Sequence, residues 1–126
     1  MSTLNVANVT DGTTTVSTSY VVNGSAKAWV NFDGTGTVAI RDSLNMSSLT
    51  DNGTGEYTLT YSNSLTGVFS NIVACSQSGR SITLRAMAYD TTTASSFIMG
   101  TYRDAGSSQA AFDNAFNDAL VFGDLA

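Results

Sequence analysis

The chain has 126 residues and a net charge of −5, length enough for one domain with a single core and too little positive charge to displace the counterions of a nucleic acid. Charged residues make up 12%, about half the roughly 25% of an ordinary soluble domain, and Thr, Ser, Asn and Gly stand in their place. The absence of histidine excludes imidazole–metal sites and Ser–His or Cys–His nucleophiles, and a single cysteine, Cys75, excludes an internal disulfide.

From the N-terminus, Leu4, Val6 and Val9 predict a short strand or arm that ends at Asp11-Gly12. The run from Thr13 to Val22 is dense in β-branched residues, which favour extended backbone because their χ1 freedom is restricted in a helix. Residues 1–22 therefore read as an extended N-terminal arm, either packed on a neighbour or forming an edge strand of its own domain. Asn23-Gly24 is a hairpin signal. Ala26, Ala28, Val30 and Phe32 then share one face of a strand, because strand side chains alternate with a period of two, and that face belongs to the core. Asp33-Gly34-Thr35-Gly36 breaks the strand, with Asp-Gly expected to supply a positive φ, and Thr37 to Arg41 resumes it. A second break at Asp51 to Gly55 precedes Glu56 to Tyr61, where Tyr57, Leu59 and Tyr61 share a side. These three runs read as one meander.

Beyond Tyr61, Val68 to Cys75 carries apolar side chains on both faces and predicts a central or interface strand. Ser78-Gly79 turns into Ser81 to Tyr89, with Ile82, Leu84, Ala86 and Ala88 facing inward. Phe97 to Tyr102 is the next strand, and Arg103 to Gln109 is a Gly- and Ser-rich loop. At the C-terminus Phe112, Ala115, Phe116, Ala119 and Leu120 repeat at helical spacing. The sum is an all-β chain, a single antiparallel β-sandwich or jelly-roll-like domain over 23–126 behind the arm, with roughly eight short strands. There are no prolines and few charges to guard its sheet edges, so another copy is expected to cover them.

The segment AKAWVNFDGTGTVAIR, followed by a Ser-rich stretch and then by DNGTGEYTLTY, resembles a domain of tailed-bacteriophage virion proteins labelled tail-fibre or minor structural proteins. Those carry AKAWVNFNGTGTVAIR and DNGTG-x-Y-T-x-x-Y/F, so Asp33 is a departure from their pattern. The match runs from about Ser25 to Tyr61, and the opening Ser2 to Val6 is similar as well. The resemblance implies a homotrimer on the virion surface, and a C-terminal strand over about Asp118 to Phe122, with Ala110 to Phe116 irregular or one helical turn, in place of the helix that spacing suggests. Two roles follow. One is a capsid decoration or cement protein whose arm lies along the major capsid protein. The other is a tail-fibre or fibre-tip adhesin, bound to tail proteins, whose loops meet a host surface glycan or protein. The short length favours the first, because a fibre would need an attachment domain and a shaft before Ser25.

Synthesis in the host cytoplasm is expected, since no secretory leader is legible at Met1, and no apolar run approaches the roughly 18 residues of a membrane span. Neither a membrane nor a nucleic-acid partner is expected, nor is any enzymatic activity, cofactor or metal. Asp11, Asp33 and Asp51 sit in Gly-bearing turns, where a carboxylate caps backbone groups. The oxygen-rich run Asp51 to Glu56 lacks the spacing of an EF-hand loop and reads as a turn. Cys75 reads as a small apolar side chain. The candidate interface residues are Leu4, Val6, Tyr20, Trp29, Tyr89, Tyr102 and Arg103. Trp29 is set opposite Ala28 and Val30, on a face where a polar row would be expected.

Overall fold

The alternation in Ala28 to Asp33 and in Glu56 to Tyr61 is realised in strands of two different sheets. The computed structural model describes residues 2–67, 71–77, 84–88, 93–105 and 108–126. In chain order these form β1 (Asn8–Thr10), β2 (Thr15–Ser17), α1 (Thr18–Gly24), β3 (Ala28–Asp33), β4 (Ala39–Leu44), β5 (Met46–Gly53), β6 (Glu56–Tyr61), β7 (Asn71–Gln77), β8 (Leu84–Ala88), β9 (Ser96–Ala105), β10 (Ser108–Ala111) and β11 (Phe116–Phe122).

One sheet has the order β4-β3-β11-β7, and every described pairing in it is antiparallel. The other is built on β9. On one edge β9 pairs with β6 and, further along, with β10, on the other edge it pairs with β8, and β5 lies outside β6. The two sheets pack as an all-β sandwich. Ala28, Val30, Phe32, Ala119 and Val121 from the first meet Tyr57, Leu59, Tyr61, Phe97 and Met99 from the second, all buried. Both inward faces read from the sequence, Ala28-Val30-Phe32 and Tyr57-Leu59-Tyr61, are therefore in the core.

The expected meander is not what forms. The Ser-rich stretch after Arg41 continues β4 and then makes β5, and between them the chain crosses from one sheet to the other within one residue. That residue is Asn45, at φ 57°, a left-handed conformation that asparagine adopts more readily than most residues and that its side-chain bonds across the fold hold in place. Here Asn45 Oδ1 accepts from the Asn63 amide at 2.7 Å, and Asn45 Nδ2 donates to the Asn63 carbonyl at 3.0 Å. The Asp33-Gly34 turn also differs in detail, because the positive φ falls at Gly36 and not at Gly34. Gly34 is needed for space: a Cβ there would lie 2.4 Å from the Tyr57 hydroxyl.

At its C-terminal end the chain follows the strand reading, not the helical spacing. β11 runs from Phe116 and inserts between β3 and β7, so the end of the chain pairs beside the first strand of the sandwich. The stretch read as a loop from Arg103 to Gln109 lies largely in strand, because β9 extends to Ala105 and β10 begins at Ser108. β7 is an end strand of its sheet and not a central one. Ile72 and Ala74 face the core, whereas Val73 faces out. Val68 to Ser70, the Ser78-Gly79 turn and the side chains of the Ser81 to Tyr89 strand lie outside the described residues.

Sheet edges are partly managed within the chain. β4 and β5, the outer strands on one side of the sandwich, are joined at Asn45, and β7 and β8 lie in contact on the other. A bulge in the β3–β4 pairing places Arg41 outside the register, where its guanidinium meets Asp33 at 2.7 Å and the carbonyl of Ala115. Bulges and inter-sheet apposition both blunt an edge.

The arm is folded, not extended throughout. Asp11 Oδ1 accepts from the amides of Thr13 and Thr14, which closes a hairpin that pairs Val9 with Val16. Thr18 to Val22, read as extended, is helical, and the helix runs on to Gly24. Ser17 caps its start by accepting from the Ser19 amide, and at its end the Lys27 ammonium donates to the carbonyls of Val22 and Ser25. Caps at both ends outweigh the small helix penalty of Val and Thr side chains. Gly24 is thus the last helical residue and not part of a hairpin.

Candidate interface

Strand alternation that puts Ala28, Val30 and Phe32 inside puts Trp29 and Asn31 on the outer face of the four-stranded sheet, and the register decides what lies beside them. Trp29 is opposite Leu44 on β4 and Leu120 on β11, and Leu120 is opposite Val73 on β7. A row Leu44–Trp29–Leu120–Val73 therefore crosses all four strands. Leu44 is 49% exposed, Leu120 43% and Val73 61%, while Trp29 is half-buried among them. The sequence reading expected a polar row here. Strand neighbours are set by pairing across the fold, and Leu120 arrives beside Trp29 only because β11 inserts there.

The next row is polar. Asp42, Asn31, Asp118 and Cys75 are opposite one another in turn. Asn31 Nδ2 donates to Asp118 Oδ1 at 2.7 Å, and the Cys75 thiol lies 3.9 Å from Asp118 Oδ2. Partial burial first, and the Asp118 carboxylate second, push the Cys75 thiol above its ordinary value. Since the thiolate is the nucleophile, maleimide at neutral pH is expected to label Cys75 several-fold more slowly than free cysteine, and Asp118→Asn is expected to speed labelling. Labelling at the free-thiol rate in both proteins would show that the carboxylate does not act on the sulfur.

Leu4, Val6 and Tyr20 all lie on the arm, where Leu4 is 84% and Tyr20 75% exposed. They share it with Val9, Val16, Val21 and Val22, which are exposed as well. Val9, Val16 and Val21 line a shallow apolar cavity between hairpin and helix, of about 340 Å³. Tyr102 and Arg103 are on β9, away from the Trp29 row. The Arg103 guanidinium lies 4.6 Å over the Phe112 ring, so this cation already has a partner. Tyr89 lies outside the described residues. The structure does not bring the candidates into one patch; it separates them into the arm, the Trp29 row and the β9–β10 end.

The carboxylates behave as turn caps. Thr35 donates its hydroxyl and amide to Asp33, and these bonds, with Arg41 behind them, hold its carboxyl below the usual range. Asp51 accepts from the Gly53 amide at 2.9 Å, within a tight turn where Gly53 and Gly55 have positive φ. Asp113, which the sequence reading passed over, accepts from the Gly55 amide at 2.6 Å and from the buried Tyr57 hydroxyl at 3.0 Å. Among the described residues no group of three or more Cys, Asp or Glu is placed to hold a metal ion.

A second cavity, of about 510 Å³, opens between the end of α1 and the sandwich. Asn23, Thr66, Asn71, Phe122 and Asp124 are among its walls. Compared with protein-family models, with curated proteins and with solved structures, the chain matches none.

Proposed function

We propose that the chain is a non-enzymatic structural protein of the exterior of a tailed bacteriophage, acting as a decoration or cement protein of the capsid. The observation that carries this reading is the N-terminal arm. Seven of its apolar side chains, Leu4, Val6, Val9, Val16, Tyr20, Val21 and Val22, are exposed on a segment tied to the sandwich through Lys27 and Ser25. Apolar surface of this extent is expected to be covered in the working assembly. The resemblance of Ser25 to Tyr61 to phage virion proteins names the class of assembly, in which the arm lies along neighbouring shell subunits.

Deletion of residues 2–22 is expected to leave the circular-dichroism sheet signal intact, because the buried core begins at Ala28, and to abolish co-sedimentation with particles that lack the protein. Loss of the sheet signal would make the arm part of the core, and undiminished particle binding would remove the arm from the mechanism. One observation favours the tail adhesin instead. The 510 Å³ cavity has Asn23, Asn71, Phe122 and Asp124 among its lining residues, residue types that suit sugar hydroxyls and an apolar sugar face. Copy number separates the two roles, with hundreds per particle expected for the shell and a few dozen or fewer for the tail.

A further inference from the structure

We propose that the arm is a strap that folds separately from the sandwich and is latched to it by one group, the ammonium of Lys27. The inference rests on burial and hydrogen bonding at residues 2–27 and holds for either particle role. From Ser2 to Gly24 no residue is buried, and only Ser17 and Thr18 are half-buried. The hairpin has three residues in each strand, and the helix has seven. An isolated two-stranded hairpin is marginal in water, and so is a helix shorter than roughly 12 residues, because neither covers enough apolar area to offset the entropy of ordering its backbone. Within the arm, Asp11 accepts from the amides of Thr13 and Thr14, and the Ala7 carbonyl accepts from the amide and hydroxyl of Thr18. These bonds join the hairpin to the start of α1 and do not reach the sandwich.

The tie lies at the other end of α1. Lys27 belongs to the sandwich through its backbone, since its amide donates to the Val121 carbonyl on β11 at 2.8 Å. Its side chain turns back to the arm. The ammonium donates to the carbonyl of Val22, to the carbonyl of Ser25 at 2.8 Å and to the Ser25 hydroxyl at 3.0 Å, so all three of its donors are engaged at the helix end. The Ser25 hydroxyl donates in turn to the Val22 carbonyl at 3.2 Å. A cation at this position also meets the negative end of the helix dipole, and hydrogen bonds from a charged donor are stronger than neutral ones. Removing that one group therefore uncaps a helix too short to persist without it. The same latch fixes one wall of the 510 Å³ cavity: Asn23, in the last turn of α1, is the arm's residue in its lining, whereas Thr66, Asn71, Phe122 and Asp124 come from the rest of the chain. With Lys27 bonded the strap completes that cavity, and with Lys27 released the cavity loses the arm's wall.

Lys27 is the one lysine in the sequence, so its charge can be removed by substitution or, in the chain already folded, by acetylation. Amide-resolved hydrogen exchange on the full chain is the readout, because it separates local opening from global unfolding. In the wild type, α1 amides are expected to exchange more slowly than in an unstructured chain and faster than those of β3 and β6. Lys27→Met is expected to speed α1 exchange by about tenfold or more, to the unstructured rate, as follows from losing charged hydrogen bonds at a marginal helix. Exchange in β3 and β6 and the urea midpoint should stay at their wild-type values. Acetylation of the folded wild type should give the same release, with acetylated Lys27→Met as the control for other acetylated groups. Exchange in α1 that neither change alters overturns the latch, as does wild-type α1 exchange already at the unstructured rate. Loss of protection in β3 and β6 together with α1 in the acetylated chain overturns the separation of arm and sandwich. The free chain is measured throughout, and virion membership is decided by the particle experiment alone.

Discussion

Phe32→Ala is expected to destabilise the domain by about 3 to 5 kcal/mol, as when a buried aromatic is truncated and the site relaxes only in part. Phe32 is fully buried on β3, and its ring meets Tyr57 from the facing sheet edge-on, with centroids 5.0 Å apart. The truncation removes apolar burial and also one half of the contact that joins the two sheets at this end of the core. Tyr57 would be left beside a cavity while its hydroxyl remains bound to Asp113 and to the Gly34 carbonyl, and that hold limits how far the ring can move to fill the space. In urea the midpoint should fall with the slope unchanged, since the surface exposed on unfolding is nearly the same. A loss below about 1 kcal/mol would place Phe32 outside the core and reverse the facing of β3.

Gly55→Ala is expected to be as damaging, for a reason of backbone space. Gly55 is buried at φ +69°, and a Cβ there would lie 2.5 Å from the Thr101 carbonyl oxygen and 2.7 Å from the Phe112 nitrogen. Neither atom can retreat cheaply. The Thr101 amide donates to the Gly55 carbonyl at 2.7 Å, the Phe112 amide to the Thr101 carbonyl at 3.1 Å, and the Gly55 amide to Asp113. The substitution therefore adds left-handed strain to a backbone clash that opens the junction of β6, β9 and the 112–115 connection, about 3 kcal/mol or more together. Gly53→Ala is the control. Its φ is also positive, +133°, but open space surrounds the added methyl, so only the conformational cost applies. Equal thermal midpoints for the two variants would show that crowding at Gly55 is absent.

Local pattern was legible wherever the physics is local. The inward faces Ala28-Val30-Phe32 and Tyr57-Leu59-Tyr61 follow from alternation alone, because a strand turns its side chains by half a revolution per residue whatever it pairs with. The turn roles of Asp11, Asp33 and Asp51 follow equally, since each carboxylate reaches amides two or three residues ahead. Two local readings failed where weak preferences met stronger ones. The end of the β-branched run, Thr18 to Val22, became helix under the caps supplied by Ser17 and Lys27, and the helical spacing of Phe112 to Leu120 gave way to β11, whose residues pair along both edges.

What the sequence by itself determined is therefore an all-β sandwich with a distinct N-terminal segment, the sides its strands bury, and the lack of imidazole chemistry. What only the tertiary structure decided is which strands are neighbours. Asn45 sends the chain from one sheet to the other, and β11 arrives beside β3 from far along the sequence. For that reason Leu44, Trp29, Leu120 and Val73, four residues spread over most of the chain, form one apolar row, while the arm keeps its own apolar side chains in the open. A row of this kind has no signature in sequence, because its period is the spacing between strands and not the spacing along any one of them.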